Sequence, residues 1–261
     1  MSALFFDIDG TILSEITHEI PESALVALRK AQENGHKTFI NTGRTICSVP
    51  PMIKRIPFDG FLCGCGTHLV YEERVVFHHS IPYERGRRII KSMKDCKVEG
   101  FLEGTEDIYY SNRISRLESV ESSRRYMAVL GLGRKQSMED TGYEFDKILI
   151  YIDKIADEER FFKETEDVFK HIDRLGGVYE CVQKEYSKAT AIAYIKKELA
   201  LQDDEIYAFG DSSNDFDMIK AAGHGVIMGH HDPVLEPYAE YITDTVENDG
   251  LYKAMEHYGL I

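Results

Sequence analysis

The chain opens on an uninterrupted apolar run, Ala3-Leu4-Phe5-Phe6, that stops abruptly at Asp7 and Asp9. Such a run reads as a strand buried on both faces of a parallel sheet. Pro21 then opens a stretch with Leu25, Leu28 and Ala31 at helical spacing, closed by Asn34-Gly35. Residues 36–40 read as a second strand and 61–63 as a third, and 69–71 with 75–79 suggest a hairpin. The texture changes after about Pro82. Residues 84–98 have the pattern of a basic amphipathic helix, 101–112 are strand-like, and 120–130 are helical. Residues 147–152 alternate like a strand, 157–172 read as one charged helix, and 178–182 as another strand. From Ser187 the first texture returns. Ile192, Ile195 and Leu199 form a helix stripe, 205–209 a strand ending at Gly210-Asp211, 216–222 a helix and 225–228 a strand.

Strands alternating with helices in the two outer parts predict an α/β fold, a doubly wound, Rossmann-like parallel sheet. The middle strands are more polar, as in an antiparallel sheet with one wet face. Residues 82–184 are therefore expected to be an α/β domain inserted into a core made of 1–81 and 185–261. No repeat, low-complexity tract or Gly/Ser linker marks the junctions.

Composition narrows the class. The 261 residues are 43% hydrophobic, and 28 of them are Phe or Tyr, which excludes a disordered chain. No apolar run approaches the roughly 20 residues of a membrane span. The N-terminus meets acids at once and lacks a basic leader region. Five scattered cysteines do not make a disulfide framework, so a reducing cytoplasm is the expected location. The net charge of −14 argues against nucleic acid and anionic membranes as partners. That charge is uneven: residues 82–184 hold 19 basic and 21 acidic side chains, while the remainder holds 12 and 24. The middle third is thus less hostile to an anionic ligand.

The candidate chemistry lies at strand ends. In an open parallel sheet, ligands bind beyond the carboxyl ends of the strands. Three such ends carry Asp7-Ile8-Asp9-Gly10-Thr11, Asn41-Thr42-Gly43-Arg44 and Gly210-Asp211-Ser212-Ser213-Asn214-Asp215. If these strands are neighbours, four carboxylates converge, and they repel one another unless a cation sits among them. Aspartate oxygens favour a hard ion, foremost Mg²⁺. Two residues apart, Asp7 and Asp9 suit a nucleophile towards phosphorus and a proton donor for its leaving group. An EF-hand loop is excluded because Leu13, Ser14 and Glu15 break its pattern. Thr42 and Gly43 offer a hydroxyl and backbone N–H groups to a phosphate. Ser187 has the character of an N-cap, which puts Lys188 in the first turn of a helix, where a cation opposes the dipole. Such a local conflict is expected at a functional site. Cys63 and Cys65, one residue apart, lack further zinc ligands nearby and read as buried small residues. The pairs His78-His79 and His230-His231 are poor chelates, and Gly131-Leu132-Gly133 lacks the third glycine of a dinucleotide loop.

The four segments at 7–11, 41–44, 188 and 210–215 resemble, in order, the four motifs of the haloacid dehalogenase (HAD) superfamily. The inserted domain resembles the type IIB cap of its Cof-type hydrolases. The resemblance spans the whole chain and implies a Mg²⁺-dependent phosphatase acting on a small phosphorylated metabolite, a sugar phosphate above all, with the cap supplying specificity. It implies Asp7 as nucleophile, passing through an aspartyl-phosphate, and Asp9 as general acid and then base. Thr42, Gly43 and Lys188 would bind the phosphoryl group. Asp7, Asp211 and the backbone carbonyl of Asp9 would hold the metal, supported by Asn214 and Asp215, in part through water or by fixing Lys188. The sequence departs from the pattern at Asn41, where Ala is usual, at Cys65-Gly66, where Asn-Gly is usual, and at Ala189, where Gly is common. None of these removes a reacting group. A phosphomutase is the alternative enzyme, and a phospho-acceptor signalling module the alternative outside enzymes. Against the latter stand Asp9 and the insertion.

Overall fold

A continuous apolar strand can only be buried on both faces, so it must be flanked by other strands and covered by helices. The computed structural model, which describes residues 1–261, shows this at Ala3–Phe6 (β1), where all four residues are buried. Next come α1 (Glu22–Glu33), β2 (Lys37–Asn41), the single turn α2 (Pro51–Lys54), β3 (Gly60–Cys63) and the hairpin strands β4 (His68–Tyr71) and β5 (Arg74–His78). The intervening region holds α3 (Tyr83–Asp95), β6 (Glu99–Glu103), β7 (Ile108–Tyr110), α4 (Glu118–Val129), β8 (Lys147–Tyr151), α5 (Glu158–Thr165), β9 (Phe169–Asp173) and β10 (Val178–Gln183). The chain closes with α6 (Lys188–Glu198), β11 (Ile206–Gly210), α7 (Phe216–Ala221), β12 (His224–Ile227), β13 (Tyr241–Ile242) and α8 (Gly250–His257). No helix is long and apolar enough to cross a membrane.

The chain divides into two compact units. One comprises Met1–Gly43, Pro51–Phe77 and Tyr186–Ile261, the other Arg44–Pro50 and His78–Glu185. The short Arg44–Pro50 segment groups with the inserted unit, whereas the sequence pattern leaves it within 1–81.

The first unit is built on an eight-stranded sheet in the order β13-β12-β11-β1-β2-β3-β4-β5. β1 pairs in parallel with both β2 and β11, with Phe6 opposite Ile40 and Phe209. The strand order therefore reverses around β1, and that reversal makes a crevice beyond the carboxyl ends of β1, β2 and β11. The doubly wound α/β core with an inserted α/β domain is the expected fold. Stacked rings lock the centre of the sheet: Phe5 on Phe39 at 5.1 Å and Phe6 on Phe209 at 4.8 Å between centroids.

The second unit holds a five-stranded sheet, β7-β6-β8-β10-β9, in which the recorded pairings are antiparallel. Ile89, Ile90 and Met93 of α3 and Phe161 of α5 join Leu102, Ile148, Ile150 and Cys181 in its core. Two expectations are corrected here. The helix expected over 157–172 ends at Thr165, and Phe169–Asp173 instead forms the edge strand β9 paired with β10. Thr165 Oγ1 donates to Phe161 O and meets His171 Nε2 at 3.0 Å, so the helix end and the new strand are tied together. Pairing along a sheet edge overrides a weak helical period. The expected wet face is not wet: Glu99, Glu103, Lys147 and Glu180, which alternate with the core residues, are all buried. Lys147 pairs with both Glu103 and Glu180, and Glu99 takes Arg113 and Arg116. Burial of these charges is tolerated because each is paired.

Candidate active site

The end of β1 delivers Asp7, whose N–H donates to Phe209 O at 3.0 Å. The chain then turns. Gly10 takes φ +77°, and a Cβ there would lie 2.4 Å from Asp211 Oδ2, so only glycine permits both the turn and the close approach. Thr11 Oγ1 donates to Asp211 Oδ1 at 2.9 Å, linking the loops after β1 and β11. Asp9 stands in the same turn, bridged to Leu13, and its charge bears on Asp7.

Across the crevice, α6 starts at Lys188. Ser187 accepts from Thr190 N while Thr190 Oγ1 accepts from Ser187 N, a complete capping box. The Lys188 side chain leaves this first turn fully buried. Its Nζ lies 2.8 Å from Asp7 Oδ1, 2.5 Å from Asp215 Oδ1 and 3.4 Å from Asn214 Oδ1. The other oxygen of Asp215 accepts the backbone N–H groups of Asp211 and Ser212, at 2.9 and 3.0 Å. Asp215 thus both organises the 3₁₀ turn Ser213–Asp215 before α7 and braces the lysine. Thr42, one residue past β2, is buried, with its N–H on Leu62 O and its carbonyl accepting from Cys65 N. Gly43 follows it in the same strand-end loop.

Electrostatics match this crowding. Burial first, then Asp215 and Asp9, push the Asp7 carboxyl up to about 7 despite the lowering by Lys188. Burial, Asp215 and Asp7 push Asp211 up to about 9, against the Thr11 hydrogen bond. Burial alone would lower Lys188, but Asp215 and Asp7 overcome it and hold the ammonium charged. Carboxylate oxygens of Asp7, Asp211 and Asp215 lie within 4.8 Å of one another, all buried. One ammonium does not balance this set, and a hard divalent cation would favour the ionised form of each acid. The donor set therefore fits Mg²⁺.

Sequence position brought Asp7, Asp211, Asp215, Asn214 and Lys188 into consideration, and the structure places them in one contiguous network. Two participants in the motifs had no role assigned from the sequence. Thr11 is bonded to Asp211, and its place in the Asp-x-Asp-Gly-Thr run was the available signal. Asn41 is bonded to the Lys188 carbonyl, and nothing in the sequence marks that contact. His231, next to Asp232 whose N–H donates to Asp211 O, is engaged by Met228 O and Glu236. Cys63 and Cys65 are buried, and no disulfide forms among the five cysteines.

The family model of the haloacid dehalogenase-like hydrolases matches residues 4–255. The YkrA protein of Bacillus subtilis is 29% identical over 273 residues, covering 99% of this chain and 98% of that one. BT1666 of Bacteroides thetaiotaomicron, a phosphatase of the HAD superfamily, superposes with a TM-score of 0.84 at 28% identity, over 100% of this chain and 96% of that one. The HAD subclass IIB sugar phosphatase BT4131 superposes with a TM-score of 0.84 at 26% identity, over the whole of both chains.

Proposed function

This chain belongs to the haloacid dehalogenase-like hydrolases, and from that premise we propose that it is a Mg²⁺-dependent phosphatase that cleaves small phosphomonoesters, sugar phosphates in particular, by way of Asp7. Its structural neighbours are phosphatases of the same superfamily, and with them it is a hydrolase of phosphoric monoester bonds. The observation that carries the finer reading is the Lys188 ammonium, buried between Asp7 and Asp215 beside Asp211 at the carboxyl edge of the sheet.

In this reading, a carboxylate oxygen of Asp7 attacks phosphorus and the bond from phosphorus to the leaving oxygen breaks. Asp9 gives its proton to that oxygen, leaving an acyl phosphate on Asp7. Asp9 then takes a proton from water, the water oxygen attacks phosphorus, and inorganic phosphate departs with Asp7 restored. Lys188, Thr42 and the Gly43 backbone hold the phosphoryl oxygens. Phosphoryl transfer asks mainly for alignment and charge neutralisation, which these groups supply. A Mg²⁺ ion held by Asp7, Asp211 and the Asp9 carbonyl would neutralise phosphoryl charge and keep Asp7 ionised. Asn214 and Asp215 orient Lys188. The likeness to the sugar phosphatase BT4131 supports a sugar phosphate as substrate, and the inserted domain is where specificity would be set. The odd number and scattered positions of the five cysteines support a reducing compartment, the cytoplasm.

The test is phosphate release from a panel of phosphorylated metabolites, in Mg²⁺ and in EDTA, by the wild type and by Asp9→Asn. Metal-dependent release that collapses in the variant supports the assignment. Release indifferent to both changes refutes it.

A further inference from the structure

Asn41 is the last residue of β2 and is wholly buried. Its Nδ2 donates to the Lys188 carbonyl at 2.9 Å and lies 3.6 Å from Met218 Sδ. Its Oδ1 is equally buried and has no hydrogen-bond partner. Turning the amide over would set Oδ1 against the Lys188 carbonyl, so the orientation is dictated by the acceptor it faces. As a device for stability this is a poor choice: one polar atom is satisfied, the other is stranded, and an apolar side chain of the same size would need neither.

The contact makes sense by what it holds. Lys188 is the first residue of α6, and its backbone is the root from which the buried side chain reaches Asp7 and Asp215. On another side the same turn is pressed by Gly66, where a Cβ would lie 2.4 Å from Ser187 O. Asn41 is also the residue immediately before Thr42. One side chain therefore ties the strand end that carries the threonine to the helix start that carries the lysine.

We propose that Asn41 is a positioning residue for phosphoryl transfer, its amide fixing the root of Lys188 so that the ammonium stands at the attacking carboxylate. The proposal rests on the function argued above, and its readouts are chosen to separate the two. An error of about 1 Å in such a group costs roughly a hundredfold in rate. Asn41 does not itself touch substrate.

The experiment compares wild type, Asn41→Ala and the shape-matched Asn41→Leu. Steady-state kinetics are run on the best substrate of the panel and inhibition is measured with orthovanadate. The Lys188 side-chain ammonium is followed by ¹H–¹⁵N NMR, assigned by its disappearance in Lys188→Arg. Expected are a fall in kcat of about ten- to a hundredfold, a KM within about twofold of wild type, and vanadate inhibition weakened in step with kcat/KM. The ammonium signal should shift or broaden in both variants, with little change in Tm for Leu. If Ala proves unfoldable, Leu carries the test alone. An unchanged kcat with an unmoved ammonium signal overturns the proposal, as does a loss of activity wholly accounted for by a lowered Tm. If the wild type releases phosphate from no compound yet the signal moves in both variants, the phosphatase reading falls and the placement of Lys188 by Asn41 stands.

Discussion

Asp211→Asn is the sharpest test of the idea that the acidic cluster is built for a cation rather than for stability. Asp211 is 8% exposed, and its carboxyl is pushed up from 3.8 to about 9 by burial, Asp215 and Asp7. An acid whose folded value is raised binds its proton more tightly in the folded chain than in the unfolded one. Its destabilising effect is therefore absent below the unfolded value, near 4, and grows as the pH rises, reaching its full size above about 9. At pH 8 that is about four pKa units, or a ceiling of ~6 kcal/mol at 1.36 kcal/mol per unit. The repulsion is shared with Asp7 and Asp215, so removing one charge recovers roughly half, ~3 kcal/mol. Asparagine keeps the shape that the close approach of Gly10 demands, and its Oδ1 still accepts from Thr11. At about 2–4 °C per kcal/mol, the variant in EDTA at pH 8 melts roughly 6–12 °C above the wild type, and near pH 4 the two coincide. Mg²⁺ closes the gap. At a hundredfold excess over its Kd the ion stabilises the wild type by about 2.7 kcal/mol and the variant far less. Calorimetric scans at the two pH values, with and without Mg²⁺, decide the matter. A variant destabilised equally at both pH values, or one that gains the wild-type increment from Mg²⁺, refutes the reasoning.

Other perturbations follow from the same contacts. Lys188→Met leaves Asp7 and Asp215 buried without their ammonium, so stability falls by about 3–5 kcal/mol at pH 8 and by less in acid, as read from urea midpoints. Ser187→Ala breaks the capping box of α6 and costs about 1 kcal/mol, seen as a small drop in Tm. In the inserted unit, Lys147→Met strands Glu103 and Glu180 and costs about 3–5 kcal/mol. Glu103→Gln, at a carboxyl that burial already pushes up, changes stability by less than about 1 kcal/mol. Equal losses from those last two changes, in matched denaturation curves, would contradict the pairing described here.

The core was legible because burial on both faces writes itself as continuous apolar runs. Ala3–Phe6 and Ile206–Gly210 announce themselves, and acids placed immediately after such runs are conspicuous. Periodicity reads polarity, however, and polarity is a proxy for exposure that fails where charges pair with each other. Glu103, Lys147 and Glu180 alternate as a solvated face would, yet they are buried as a mutually paired set. Phe169–Asp173 failed for a related reason: its strand character comes from β10 alongside it, and that partner is invisible to a local window. The end of the chain gave still less signal. β13 is two residues long, and α8 follows Asp249 in a left-handed conformation rather than a conventional cap.

The same division runs through the site. Asp7 and Asp211 were accessible as types at positions, a carboxylate at the end of a buried strand, and Lys188 was accessible as a cation set against a helix dipole. What joins them was harder to see. The Lys188–Asp215 pair, 27 residues apart, came only from the family resemblance, and the Asn41–Lys188 bond, which spans 147, came from nothing in the sequence. Residues that react are constrained by the chemistry of the substrate and so belong to a short list of types. Residues that position them are constrained only by the space between two backbones. Asn41 shows the consequence: as a letter it was a departure from a family pattern, and only the proximity of β2 to the start of α6 turns it into a donor with one acceptor to serve. Positioning residues are therefore to be sought among buried polar atoms whose hydrogen bonding is incomplete, since packing alone gives no reason to keep them.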